Sequence, residues 1–233
     1  MESPPQPPPP PVSPSLLRRL IHLDTTVSLH LYTLTQPILP YTLLKTLELS
    51  GDGRFFFPLT LSLLLSPLST TQFPFILNLL LGLLLDLLVI GLLKHLVRRP
   101  RPVYNKNMFL TFSVDHWSFP SGHSSRVFYI ATFIFLNSKF VEEVLIQLRS
   151  NRVGGYFSNE WISKNLFYLN DEVKMVNYIV AIVGLWAMST SVSRVLLGRH
   201  FVFDVVAGAC LGVAEALIVF QVFNYETLRS VLW

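Results

Sequence analysis

Three short clusters in this chain carry residue types that handle phosphate. Lys94 and Arg101 lie in K-H-L-V-R-R-P-R-P, at the end of a long apolar run. Ser121, Gly122 and His123 lie in F-P-S-G-H-S-S-R, just before another apolar run. Arg194, His200 and Asp204 lie in S-R-V-L-L-G-R-H-F-V-F-D, where one apolar run ends and the next begins. Arginine can fork two hydrogen bonds onto phosphate oxygens, and lysine acts as a point charge. Gly122 frees the backbone where a helix is about to start, so Ser121 and the amides after it can offer N–H donors to an anion at the positive helix end. His123 in that nest is either a structural residue at headgroup level or, beside a phosphate, a proton donor near neutral pH. If the last helix starts early enough, His200 and Asp204 share a face. The carboxylate then holds one ring nitrogen and the other points its lone pair at an electrophile. An i,i+4 His–Asp pair taken alone is often only a hydrogen bond at a helix start.

The elements that position these clusters are membrane helices. Hydrophobic residues make up 51% of the 233 residues, and a mean hydropathy of +0.49 is too apolar for an ordinary soluble domain. Crossing a hydrocarbon core of ~30 Å takes ~20 helical residues. Five apolar runs approach that, from Arg54 to Leu68, Phe73 to Val97, Arg126 to Asn137, Val176 to Leu197 and Val202 to Phe223. A sixth, from Val27 to Leu49, contains Pro37 and Pro40, which kink a helix, so it either spans or lies in the interface. The predicted fold class is all-α, an integral-membrane helical bundle of about six transmembrane helices. Parity of crossings puts the end of the Phe73 run, the start of the Arg126 run, the end of the Val176 run and the start of the Val202 run on one membrane face. All three clusters therefore meet there. Fixed cations, backbone donors and two histidines are what phosphoryl transfer asks for, because its transition state spreads negative charge over the equatorial oxygens.

Other classes are disfavoured. A net charge of +4 is modest, and the 18 Lys and Arg are scattered, so no nucleic acid partner is expected. One cysteine, Cys210, builds neither a disulfide framework nor a thiolate cluster. There is no HExxH pair, Asp-x-Asp run or EF-hand loop, so no metal and no cofactor is expected, with Arg and Lys in the metal's place. Residues 1–15 read as a proline-rich disordered tail and not a signal peptide, and residues 16–233 as the transmembrane phosphatase domain. Within it, residues 139–174 form a polar excursion read as a tolerated surface insertion.

The ordered pattern Lys94, six residues, Arg101-Pro102; Pro120-Ser121-Gly122-His123; Ser193-Arg194, five residues, His200, three residues, Asp204 resembles the signature of the type 2 phosphatidic acid phosphatase and haloperoxidase superfamily. The likeness covers about Gly51 to Phe223. Val97 to Pro102, Asn105, Met108-Phe109, Ser113-Val114-Asp115 and Ser118 to His123 further resemble its polyisoprenoid diphosphate phosphatase (type 6 phospholipid phosphatase) branch. The resemblance implies His200 as a nucleophile forming a phosphohistidine, Asp204 orienting it and His123 protonating the leaving oxygen. It implies Lys94, Arg101, Ser121, Gly122 and Arg194 on the phosphate oxygens. The implied partners are the bilayer and a lipid phosphate or prenyl diphosphate, and the implied location is the endoplasmic reticulum or another endomembrane. Phosphatidate or sphingoid-phosphate hydrolysis is the alternative reaction, and a catalytically silent lipid-binding protein the alternative class.

Several residues stand outside that pattern. Asp86 and Glu215 each lie eleven residues from a site-face landmark, Val97 and Asp204, which is ~16 Å into the bundle and out of reach of the phosphate. They are expected to be structural, with a polar spot along the lipid tail as the alternative. Arg126 either reaches the phosphate or pairs with an acid. Arg98, Arg99 and Arg199 read as anchors or headgroup contacts. Ser50-Gly51-Asp52-Gly53 reads as a simple turn, or as a cover over the pocket.

Overall fold

The computed structural model describes residues 16–67, 72–104, 116–152 and 172–222. The proline-rich tail, the Asn105 to Asp115 loop and residues 153–171 of the polar excursion lie outside them. Eight helices form among the described residues, in the order α1 (Leu16–Thr35), α2 (Tyr41–Ser50), α3 (Gly53–Leu64), α4 (Gln72–Val97), α5 (Gly122–Leu136), α6 (Ser138–Arg152), α7 (Glu172–Leu196) and α8 (Val202–Gln221). No strand forms among them. Pro100 and Trp117 make an isolated antiparallel bridge between the two sides of the loop that joins α4 to α5.

Three of these helices are long and apolar enough to cross a membrane: Gln72–Val97, Val173–Leu196 and Val202–Gln221. About six were expected. The difference is one of length: α3 has 12 residues and α5 has 15, both short of the ~20 that a full crossing takes. The Val27 to Leu49 candidate is two helices, because the chain breaks between Thr35 and Pro40. The start of the polar excursion is helical, as α6.

The core lies between α4, α5 and α8, where Leu83, Tyr129, Ile130, Phe133, Ala216 and Val219 are buried together. Its closest seam is α5 against α8. Gly208 and Gly212 sit one turn apart on α8, and a Cβ at either would run into the carbonyl oxygen of Ser121 or Ser125 on α5. Small residues at i and i+4 let two backbones touch, the usual way membrane helices gain contact when lipid removes the hydrophobic drive. Ser124 Oγ, buried in the seam, donates to the Val205 carbonyl at 2.9 Å. Deeper, Arg126 pairs with Asp86 at 3.1 Å, and Ser125 Oγ donates to Glu215 Oε2 at 3.4 Å. Of the two roles open to Arg126, the structure shows the acid partner.

The turn before α3 is held by its own residues. Asp52 caps α3 by accepting from the Arg54 amide at 2.9 Å. Trp186 Nε1 on α7 donates to Ser50 Oγ at 2.9 Å, tying the end of α2 to the bundle.

A branched side chain at residue 212 must push α5 away from α8, so Gly212→Val is expected to cost at least about 1–3 kcal/mol, the usual penalty of overpacking. The thermal midpoint of the detergent-purified variant checks this, and an unchanged midpoint would mean that the seam is looser than described.

Candidate active site

The four helix ends that parity assigned to one face do converge. α4 ends in a left-handed turn, with Arg98 at φ 51° and its amide on the Lys94 carbonyl at 3.0 Å. The chain then runs Arg99-Pro100-Arg101 across the start of α8. α7 ends at Leu196, and Gly198, at φ 68°, turns the chain back. A Cβ there would stand 2.8 Å from Tyr104, so neither the dihedral nor the space admits a side chain. The Arg199 and His200 amides both donate to the Arg194 carbonyl, at 2.9 and 3.2 Å, which winds the turn tightly under the last residues of α7.

His200 is buried in this turn, and its surroundings fix its proton. Nδ1 lies 2.7 Å from the Ser118 carbonyl oxygen. A carbonyl only accepts, so Nδ1 carries the hydrogen and Nε2 keeps its lone pair. Nε2 faces Arg101 Nη1 at 3.3 Å, while that nitrogen also donates to the Arg199 carbonyl at 2.7 Å. Burial, then the charges of Arg101, Arg194 and Lys94, hold the ring well below the ordinary imidazole range, so it is neutral at pH 7.

Asp204 stands four residues on but does not take the ring hydrogen. Its Oδ2 lies 3.7 Å from Nδ1, beyond hydrogen-bond distance, and instead accepts from the Phe201 amide at 2.9 Å. Its Oδ1 accepts from Arg99 Nη1 at 2.7 Å. The carboxylate thus caps α8, pairs with Arg99 and stands beside the His200 ring. Arg99, read from sequence as an anchor, is a partner of the site.

The second cluster joins the third through the backbone. Ser121 is the N-cap of α5, and its amide donates to the Asp204 carbonyl at 2.9 Å. That donor, one of those expected to meet an anion, is committed to α8. Gly122 opens α5. His123 follows, and its Nε2 is buried with no hydrogen-bond partner among the described residues. Burial first, then Arg194, Arg126, His200 and Lys94, keep His123 well below its ordinary range. Lys94 is buried in the last turn of α4, and its charge acts on both histidines.

Arg194 is fully buried near the end of α7 and forms an ion pair with Glu48 of α2. Arg199 Nε stands 3.4 Å from the same carboxylate oxygen. Burial would raise Glu48, but Arg194, Lys45 and Arg199 outweigh it and hold its carboxyl below the usual range. Apart from the Glu48 contact through Nη1, Arg194 Nε and Nη2 have no hydrogen-bond partner among the described residues. Glu48 is shared by Arg194, Arg199 and Lys45, and two of the Arg194 nitrogens keep their donors. A buried donor without an acceptor costs about 1–3 kcal/mol, and an anion with several oxygens would recover it.

Sequence reasoning passed over Glu48 and Asp24. Both are single acids in largely apolar stretches, the signal that singled out Asp86 and Glu215. It also passed over Gly208 and Gly212, whose spacing was legible. Among the described residues no three of His, Cys, Asp and Glu come together as a metal site would need.

Residues 75–228 match the PAP2 superfamily. A probable lipid phosphate phosphatase beta from Arabidopsis thaliana is 40% identical over 212 residues, covering 90% of this chain and 92% of that protein. Phosphatidylglycerophosphatase B from Bacillus subtilis (strain 168) is 33% identical over 141 residues, 60% of this chain and 53% of that protein. The fold is shared with a solved transmembrane PAP2 type phosphatidylglycerolphosphate phosphatase from Bacillus subtilis, at a TM-score of 0.59 and 22% identity over 92% of this chain and 88% of that one. Aquifex aeolicus LpxE gives a TM-score of 0.51 and 25% identity over 83% of this chain and 94% of its own. The matched residues include every helix end that meets at His200, and the chain belongs to the PAP2 superfamily.

Proposed function

We propose that this chain is an integral-membrane hydrolase that removes phosphate from a lipid through a phosphohistidine on His200, without a metal ion. Its family and relatives support a hydrolase of lipid phosphates. The observation that carries the mechanism is the Nδ1 contact with the Ser118 carbonyl, which leaves the Nε2 lone pair as the nucleophile inside a ring of buried cations.

The proposed steps balance. Nε2 attacks phosphorus, the bond from phosphorus to the lipid oxygen breaks, and that oxygen takes a proton from His123. The phosphorylated ring gains positive charge, which the Asp204 carboxylate at 3.7 Å offsets. Water then attacks phosphorus and gives its proton to His123, and phosphate leaves with His200 neutral again. Arg194, Arg101, Lys94 and the α5 start with Ser121 and Gly122 hold the oxygens. The tail stays in lipid, and the headgroup enters sideways from the bilayer.

The donor role asks His123 to be protonated, whereas burial, and after it the surrounding cations, keep it neutral in the bare pocket. Bound phosphate reverses the sign of the local field, so binding brings the proton with it. Two lipid classes suit this chemistry. The prenyl diphosphate reading draws on Asn105, Met108, Phe109, Ser113, Val114 and Asp115, which lie outside the described residues. The phosphatidate reading fits at least as well, because the relatives carry the names of lipid phosphate and phosphatidylglycerophosphate phosphatases.

His200→Ala is expected to lower turnover by at least about 10³-fold, as loss of a nucleophile does, and to abolish an acid-labile phosphoenzyme seen on rapid quench. A variant that turns over normally would end the mechanism. Purified protein assayed in EDTA against prenyl diphosphate, prenyl monophosphate and phosphatidate in parallel ranks the substrates, and activity lost in EDTA would contradict metal independence. For His123, orthovanadate binding followed by calorimetry at pH 7 in buffers of different ionisation enthalpy should show about one more proton taken up by the wild type than by His123→Asn. Equal uptake would remove the acid role.

A further inference from the structure

Both groups that face His200 Nδ1 are anchored by one residue, Arg99. The Ser118 carbonyl accepts the ring hydrogen, and Ser118 is in turn held by its amide on the Arg99 carbonyl at 2.8 Å. Its hydroxyl donates to the Pro100 carbonyl at 3.0 Å. The other group, Asp204, accepts from Arg99 Nη1 at 2.7 Å. Arg99 therefore sets the carbonyl through its backbone and the carboxylate through its side chain.

Arg99 is itself fixed from outside the family-matched residues. Its Nη2 donates to Asp24 Oδ2 on α1 at 2.7 Å, and its guanidinium lies 4.1 Å over the Phe201 ring. A planar cation held by an aromatic face and by carboxylates at its two ends has little freedom left. Asp24 belongs to a stripe, one residue per helical turn, that grips the turn carrying His200. Asp24 Oδ1 accepts from the Phe203 amide at 3.0 Å, and Ser28 Oγ accepts from the Val202 amide at 3.0 Å. One turn on, Tyr32 packs on Tyr104, the ring that closes over Gly198, with centroids 4.7 Å apart. Asp24 and Ser28 are both buried, and together they cap the first amides of α8.

We propose that α1 is a positioning element of the active site. Through Asp24 and Arg99 it sets the Asp204 carboxylate and the Ser118 carbonyl against His200 Nδ1, and so aims Nε2 at the phosphorus. The inference rests on the reaction proposed above. Arg99 and Asp24 touch no reacting atom and act through Asp204 and Ser118.

The test measures steady-state kinetics and thermal midpoints of purified Arg99→Gln and Asp24→Asn with the best lipid phosphate substrate. An asparagine at residue 24 removes the charge that holds Arg99 and sets an NH₂ against one of two donors, without changing size. Both variants are expected to lose about 10- to 100-fold in kcat, the scale set by misplacing a reacting group by about 1 Å, with KM within about twofold. Arg99→Lys should rescue little, because one ammonium cannot replace the fork between two carboxylates. Guanidinium ion added to Arg99→Ala should restore part of kcat where equal KCl does not. The decisive measurement is a cycle. If Arg99 acts through Asp204, adding Arg99→Gln to Asp204→Asn costs little more than Asp204→Asn alone, whereas an independent structural role multiplies the two losses. Multiplied losses, or wild-type kcat in Arg99→Gln, would overturn the proposal. Should Arg99→Gln fail to purify as a folded protein, Asp24→Asn decides by its kcat and by the same cycle. Wild-type turnover in His200→Ala removes the reaction itself; an inactive His200→Ala beside a fully active Arg99→Gln removes only the role of α1.

Discussion

Arg194 is wholly buried, pairs with Glu48 through Nη1 and has no acceptor for Nε and Nη2 among the described residues. Stripping a charge of water costs several kcal/mol even after relaxation, unless an opposite charge stands close. Much of the fold around it answers that constraint. Glu48, on a helix of ten residues packed beside α7, stands against both Arg194 and Arg199. Asp24 and Asp204 balance Arg99, and Asp86 balances Arg126. Each of these arginines thus has an acid from another element, so buried ion pairs draw α1 and α8, α2 and α7, and α4 and α5 together. Holding Arg194 by an ion pair compensates its buried charge, and in the proposed reaction the unmade bonds of Nε and Nη2 are left for phosphate oxygens.

The same economy governs the histidines. A ring in a cationic pocket is pushed to its neutral form, which suits a nucleophile and opposes an acid. His200 meets the first need, and the Ser118 carbonyl decides which nitrogen keeps the lone pair. His123 meets the second only with negative charge beside it, so its acidity would appear with the substrate. In this reading two identical side chains in one field take opposite roles because one acts on the phosphate directly and the other depends on its charge.

The sequence carried the convergence of the clusters well, because parity is a property of counted crossings and does not depend on where each helix frays. The placement of Asp86 and Glu215 away from the histidines was likewise legible from helical rise alone, since eleven residues set a depth. Partner choice was not. Arg99 sits near Lys94, Arg98 and Arg101 in one basic cluster, and nothing in that cluster says which one pairs with Asp24 and Asp204. The selection comes from the left-handed Arg98 and from Asp24, some 75 residues away in sequence. Asp24 and Glu48 carried the signal of a lone acid in an apolar stretch, but spacing does not name their partners, which lie on other elements. Of the six apolar runs, three form helices long and apolar enough to cross a membrane, and hydropathy did not show that α3 and α5 have only 12 and 15 residues.

The α5–α8 seam removes any clean division between the residues that build this bundle and those that serve the site. Gly208 faces the Ser121 carbonyl so closely that no side chain fits, and it is this approach that lets the Ser121 amide reach the Asp204 carbonyl at 2.9 Å. That bond fixes the register of the helix bearing His123 against α8, which begins two residues after His200. Slipping either helix by one residue would move the histidines 1.5 Å apart along the axis and about 100° around it. A packing motif of two glycines therefore sets how the two histidines face one another, and a substitution there can reach the chemistry without changing a residue that meets phosphate.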